Sequence, residues 1–499
     1  MLKMCVFAEN MIYYTLHFYA GAFVNKHDFP KIHFYDQDFV DIYNKTWSLL
    51  GDFWIEPSTG KQSASGYFLY PADSHFVIDQ FESIFSSFFL VYSNRNFDAS
   101  KNIDFFYEHQ EKDGAIRWRY DAKTGKPVFS NTNPAGIGMP LFAWAEFNLY
   151  HKSANKRRVK EVMTYLQKYM KWIDENFKAE NGLYAVPAVA STMFNAPRDK
   201  AVYPVDFNAA MAINASHMSA LGDILNDKDL SFQYRRLYFS IKTRINSLMW
   251  DNETQFYYDL DKNENRIMEK TIAGFWPLLA ELPNADKAEQ LISHLSNPKT
   301  FGSEHPFPTL SMDSRHFKAH GEAFCGSVYP AFNFMIIKGL EKYQHFAIAR
   351  ECAIRHLYYV LGAFMPTDTN EKGGIYECYA PCGEGKANLS REPNFPHERY
   401  LITASLSTIA LMIENVIGLS ISLPRKTVDW IIPNLEIMGI ENLSLKRNLI
   451  TILSNKTNRG WEIQMESEKL YYFTINILGQ KKKTLPIPSG KCSMLIDKL

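Results

Sequence analysis

The sequence predicts a closed toroid of paired helices followed by a small antiparallel β domain. Two observations predict it. From about residue 76 to 420, stretches of helical period alternate between segments apolar along one stripe and segments apolar nearly all round. After about residue 420 the pattern changes to the two-residue alternation of strands, broken by Asn, Gly, Lys and Pro turns.

The helical elements justify themselves in turn. In "RRVKEVMTYLQKYMKWIDENF", Val159, Val162, Leu166, Met170, Ile173 and Phe177 share one face with Lys and Glu opposite, which describes a half-exposed outer helix. "DFNAAMAINASHMSALGDIL" is small and apolar on most sides, with Asp206 placed as its N-cap, which describes an inner helix. "GMPLFAWAEFNLY" and "VYPAFNFMIIKGL" read as inner helices, "HFAIARECAIRHLYYVL" as an outer one, and "TASLSTIALMIENVIGL" closes the series. About a dozen such helices form a closed ring, because each inner helix has to bury its whole circumference against neighbours. The expected organisation is residues 1–75 as an extension wrapping one end, including "KTWSLLGDFWIEPSTGKQSASGYFLYPADS", then 76–420 as the barrel and 421–499 as the β domain.

Composition bounds the function. The 499 residues carry 54 basic and 54 acidic side chains, and no basic block stands out beyond "KKK" at 481–483, so nucleic acid is not an expected partner. Aromatic residues reach 15%, in keeping with a dense core or with surfaces that stack on sugar rings. Of the six cysteines only Cys378 and Cys382 are close in sequence, and without a second pair or a His cluster they predict free thiols and no metal. No apolar run approaches the ~18 residues a bilayer span needs. The N-terminal stretch is interrupted by Glu9, Asn10 and His17 and shows no cleavage site. The expectation is a soluble protein, cytoplasmic or periplasmic, with no membrane partner.

Several loops carry a resemblance. "STMFNAPR" followed by "YPVDFNA" (residues 191–209) resembles the segment of trehalases, mannosylglycerate hydrolases and processing α-glucosidases in which an S-G-(M/W)-D block precedes a V-D-L-N-A helix start. "FVIDQFESIF" (76–85) resembles a W-D-S-x-F block, "YEHQEKDGAIRWRY" (107–120) a Q-x-x-D-G-x-I turn, and "GGIYECYAPCGEG" (373–385) an E-x-Y-x-P block. "WDNETQFYYDLD" and "GSVYPAFNFMIIKGL" resemble later blocks of the same series. The ordered blocks cover roughly residues 70 to 420. The resemblance implies an (α/α)6 barrel of the six-hairpin glycosidase type that inverts anomeric configuration, uses no cofactor, takes an oligosaccharide or glycan as substrate, and packs a β domain beside the barrel.

Inverting hydrolysis needs one carboxylic acid and one carboxylate, roughly 6.5 to 9.5 Å apart. By the resemblance Glu377 is the general base, with Tyr376 and Tyr379 walling a sugar ring. Tyr329 and Arg198 are further substrate-binding residues. Asp79 either holds sugar hydroxyls or simply caps a helix. The acid position, however, is Phe194, and Thr192 stands where the family has Gly. Phenylalanine donates no proton, so the acid is expected to be relocated to Asp206, which begins a buried helix next to the vacated position, with Asp199 and Glu322 behind it. Two other readings remain open at this point: a carbohydrate-binding pseudoenzyme, and a polysaccharide lyase or epimerase on the same barrel.

Overall fold

The computed structural model describes residues 28–51, 54–55, 67–68, 70–72, 75–365, 374–387, 402–431, 437–445, 448–458, 460–467, 471–476, 482–487 and 490–496. Among these, twelve helical segments build the barrel. They are α1 (Gln37–Leu50), α2 (Gln80–Leu90), α3 (Ala99–Glu108), α4 (Phe142–Ser153), α5 (Lys156–Phe177), α6 (Val205–Leu225), α7 (Lys228–Arg244), α8 (Trp276–Leu279), α9 (Ala285–Ser296), α10 (Pro330–Lys342), α11 (Phe346–Phe364) and α12, a π-helix over Leu406–Val416.

The even-numbered helices form the inner ring. α2 packs on α4, α4 on α6, α6 on α8, α8 on α10, α10 on α12, and α12 returns to α2. Their sequences explain why. In α2 every residue but Glu82 is buried, and α10 and α12 are nearly as enclosed. Outer helix α5 buries Val159, Val162, Leu166, Met170 and Ile173 and leaves its Lys and Glu residues to solvent, as its single stripe requires. The fold is the (α/α)6 barrel expected.

The helical part begins earlier than residue 76. α1 is amphipathic, burying Phe39, Ile42, Tyr43, Trp47 and Leu50 at helical spacing, and it packs against α11 and α12 as the outer partner of the last inner helix. Residues 1–27 and most of 52–74, expected to wrap the barrel, lie outside the described residues.

Chain direction separates the two ends of the ring. Inner helices hand over to outer ones through short links such as Ala154–Asn155 and Asn226–Asp227. The return from outer to inner takes long connections, 109–141, 178–204, 297–329 and 365–405 among them. The N-termini of the inner helices therefore share the end where the long loops lie. The opposite end is knitted by buried charge. Lys338 Nζ donates to Glu341 (3.1 Å), Glu414 (2.8 Å) and Asn415 (3.0 Å). Lys152 Nζ donates to the Tyr92 hydroxyl (3.1 Å), which donates to Glu414. Burial would raise the Glu414 carboxyl, but Lys338 and Lys152 overcome it and hold the group below its ordinary value.

The C-terminal residues form two sheets. One runs Lys31–His33, Ile437–Leu445, Asn448–Thr457, Gly460–Ser467, Gly490–Ile496, all antiparallel, so its first strand comes from the N-terminal segment. The other runs Lys482–Ile487, Tyr471–Asn476, Thr427–Ile431, Leu419–Ser422, and its central pair is parallel, a departure from the all-antiparallel expectation. Hydrogen bonds join this domain to the barrel: Leu423 N–H to His151 O (2.8 Å) and Trp430 Nε1 to Ile417 O (2.7 Å). Among the described residues no helix is long and apolar enough to cross a membrane.

The hinge between α12 and the β domain is Gly418. Its φ is +86°, and a Cβ there would lie 2.3 Å from Ile431 O. Only glycine tolerates both conditions. Gly418→Ala should therefore cost about 1–3 kcal/mol from backbone strain alone, with the clash adding to it. A thermal unfolding midpoint equal to wild type would show that this junction is not held as described.

Candidate active site

The mouth of the barrel is built from the starts of α2, α6, α10 and α12. On the α2 side the strands His75–Asp79 and Arg119–Asp121 pair so that Asp79 and Arg119 stand opposite each other. Their side chains meet at 2.6 Å. Asp79 is also the N-cap of α2: its Oδ1 accepts the Glu82 backbone N–H at 3.1 Å while Oδ2 takes Arg119. The cap reading of Asp79 thus holds, and its second oxygen is engaged by Arg119. The guanidinium of Arg119 lies 4.6 Å from the Trp118 ring centre and remains partly exposed.

Two more carboxyls close on this pair. Glu82 rises from the first turn of α2, with its side chain bonded to Thr403 in the turn that precedes α12. Glu377 comes from the loop between α11 and α12. Each has a fully enclosed Oε2 with no hydrogen-bond partner among the described residues. Burial first and the Asp79 charge second push the Glu82 carboxyl up to about 8, against the Thr403 bond and Arg119. Burial, then Glu82, hold Glu377 well above the usual carboxylate range, with Arg119 opposing and Asp79 adding to the rise. Among the described residues no three His, Cys, Asp or Glu side chains converge to hold a metal ion.

The Glu377 loop is fixed by backbone pairing: Val328 and Tyr379 exchange two hydrogen bonds of 2.9 Å. Tyr379 is wholly buried and its hydroxyl accepts the Tyr376 N–H at 3.0 Å, so it braces the turn and offers no face to a sugar. Tyr376 is buried as well, under Lys386. Tyr329, just before α10, turns an enclosed hydroxyl toward Cys378 and Glu377. Its ring stacks on Phe324 at 4.6 Å, and Phe324 meets Phe194 edge-on at 5.2 Å. Phe194 is 45% exposed. An aromatic run therefore leads from solvent to the neighbourhood of Glu377.

Arg198 and Asp206 are placed differently from the sequence expectation. Both are buried, and the Arg198 guanidinium commits its five N–H donors to Asp206 (2.6 and 2.9 Å), Asp259 (2.9 and 2.8 Å) and Ser191 (3.1 Å). No donor remains for a sugar. Asp206 is not the N-cap of α6, which is Pro204. It lies in the first turn, where its oxygens accept from Arg198 and from the Phe207 N–H at 2.9 Å. The reason is charge: a buried guanidinium needs two carboxylates about it, and Asp206 is one of them. Asp199 is exposed. Glu322, by contrast, is half-buried on a loop clamped to the residue after Phe194: Asn195 Nδ2 donates to Glu322 O at 3.0 Å, and Asn195 Oδ1 accepts the Phe324 N–H at 2.8 Å.

Glu82, Arg119 and Thr403 were not singled out from sequence. Asp79 and Glu82 have the D-x-x-E spacing of a capping box, which explains an acid there without any chemistry. A signal did exist: with Asp79 set on the block's Asp, Glu82 falls where W-D-S-x-F has its aromatic residue.

Thr192 has φ at +72°, the left-handed region that favours glycine. A β-branched residue is strained there. Thr192→Gly should raise stability by about 1 kcal/mol, strain relief exceeding the added freedom of the unfolded chain. A lower unfolding midpoint would mean that the Thr192 side chain contributes more than its backbone costs.

With this geometry in place, comparisons with known proteins agree on the fold. Residues 418–499 match the trehalase C-terminal domain. An uncharacterized protein of Borreliella burgdorferi is 51% identical over 477 residues, 95% of this chain and 100% of its own length. A sialidase structure superposes with a TM-score of 0.69 at 14% identity, over 87% of this chain, which spans 40% of that longer protein. The GH63 mannosylglycerate hydrolase from Thermus thermophilus in complex with glucose gives 0.58 at 18% identity, over 74% of this chain and 99% of its own. Residues 86–397, more than half of the chain, match the mannosylglycerate hydrolase MGH1-like glycoside hydrolase domain, and the chain belongs to that family.

Proposed function

We propose that this chain hydrolyses a glycosidic bond in an oligosaccharide or glycan with inversion at the anomeric carbon, Glu377 acting as general base. The observation that carries the reading is the enclosed, unpartnered Oε2 of Glu377 at the mouth of a glycosidase barrel. In such a step Glu377 takes a proton from water as the oxygen adds to the anomeric carbon, while the departing oxygen takes a proton from an acid. Arg119, half-exposed and oriented by Asp79, supplies the polar group beside it that holds a sugar.

For the acid we propose Glu322 in place of Asp206. What supports it is the Asn195 clamp, which holds the Glu322 backbone against the residue next to the vacated position, whereas Asp206 is enclosed and committed to Arg198. The exposed Phe194 favours a second reading, a carbohydrate-binding protein that has lost turnover. The glycosides after which its relatives are named, mannosylglycerate and trehalose, are the first to try, as substrates and as ligands.

Glu377→Gln keeps size and hydrogen bonding but accepts no proton, so turnover should fall at least ~100-fold with sugar binding retained. Near wild-type turnover would leave Glu377 as a wall of the pocket. Glu322→Gln should impair sugar leaving groups far more than nitrophenolate, which departs without a proton. Equal loss on both would remove Glu322 as the acid, and a wild type that binds sugar but cleaves neither would favour the binding protein.

A further inference from the structure

The long connection 109–141, at the end of the barrel where the site lies, carries an aromatic ring that is 50% exposed, Phe129. Backbone pairing ties this ring to the site. Asp79 pairs with Arg119, and on the far side of Arg119 the chain turns back on itself. Tyr120 bridges Pro127, the Asp121 N–H donates to Lys126 O at 2.8 Å, and the Val128 N–H donates to Arg119 O at 2.9 Å. Trp118 Nε1 adds a bond to Val128 O at 2.7 Å. In this antiparallel register Val128 stands opposite Arg119, and Phe129 opposite Trp118. Two strand spacings of about 4.8 Å each separate the strand of Asp79 from that of Val128. A chain of linked sugars covers that reach; a single ring does not.

The Phe129 ring is held still. Arg117 donates from Nε and Nη2 to the Glu111 carboxylate (2.7 and 2.6 Å) and from Nη1 to Ala135 O (2.7 Å). So fixed, its guanidinium lies 5.5 Å from the Phe129 ring centre and 5.1 Å from that of Trp172. The ring also rests on Gly136, where φ is +57° and a Cβ would stand 3.2 Å from two Phe129 ring carbons. Buried Asn133 closes the loop, its Oδ1 accepting the Ile137 N–H at 3.1 Å and its Nδ2 donating to Ile137 O at 2.9 Å. A lone surface phenylalanine needs no explanation. One braced by an immobilised arginine and seated on a glycine, beside the strand that carries Arg119, is preorganised to receive a flat partner at little entropic cost.

We propose that Phe129 is the stacking platform of a further sugar subsite, on which the C–H face of a ring beyond the one held at Arg119 comes to lie. The ligand class is an oligosaccharide, because a phenyl face offers apolar area without hydrogen bonds, which suits a sugar ring and not a small charged group such as glycerate. This rests on the reading that the mouth takes a glycan, and it deepens that reading.

The test is affinity against chain length, with α-linked gluco- and manno-oligosaccharides from monosaccharide to pentasaccharide. In wild type the dissociation constant, or KM where the sugar is cleaved, should tighten about 10-fold at the length that reaches Phe129, the scale of one good aromatic contact. That gain should vanish in Phe129→Ala and in Phe129→Leu, which is apolar but not flat, and return in Phe129→Trp. The monosaccharide should bind all these proteins alike. An affinity that does not rise with length in wild type, or a rise that survives in Phe129→Ala, would overturn the platform. Equal weakening at every length with a lower unfolding midpoint would make Phe129 a support for Arg117 alone, and would overturn it too. A length-dependent gain that is lost with the ring, in a protein that cleaves nothing, would contradict the hydrolase reading and leave the platform standing. Turnover without length dependence would do the reverse.

Discussion

The structure depends on closure of the inner ring. Six helices apolar on most sides can be buried only against one another, so polar side chains are driven to the ring's two ends. Chain direction then makes those ends unlike. Short links and the attached β domain take up the C-terminal ends of the inner helices, and long loops at the N-terminal ends carry the candidate site.

The two ends serve their carboxyls with different cations. At the closed end Glu341 and Glu414 meet Lys152 and Lys338, two charges against two; Lys338 and Lys152 hold Glu414 below its ordinary value against burial, while burial holds Glu341 above its own. At the mouth Asp79, Glu82 and Glu377 lie about Arg119, and burial first holds Glu82 and Glu377 above theirs. The closed end ties α10 to α12 through Lys338 and Glu414. The Arg198 clamp is likewise structural. It ties the start of α6 to Asp259 and the 191–198 loop, and so positions Phe194 without itself reaching the pocket.

The barrel was legible in the sequence because its signal is periodic. The outer stripe of α5 and the all-round apolarity of α6 are each visible within one helix, and the ordered blocks fixed the loop that carries Glu377. What sequence could not give was pairing across distance. Asp206 beginning a buried helix looks available for chemistry until Arg198 and Asp259 are seen to enclose it. Tyr379 beside Glu377 looks like a pocket wall until its hydroxyl is found on the Tyr376 backbone. Glu82 was hidden by an ordinary explanation, a first-turn acid three residues after an N-cap, and only its bond to Thr403, far along the chain, and its enclosed Oε2 mark it out. At Thr192 and Phe194 the reading was of an acid relocated elsewhere, and the structure adds a left-handed backbone at Thr192, two residues before Phe194.

The hydrolysis proposed for the mouth turns on Glu377 acting on water rather than on the sugar. Proton NMR of the product in the first minutes of turnover, before mutarotation, tests this most directly. Attack by a water that Glu377 deprotonates gives the opposite anomer, so an α-glycoside should release the β sugar first. Release of the α sugar first would mean that a carboxylate bonded to the anomeric carbon, and would contradict a base role for Glu377.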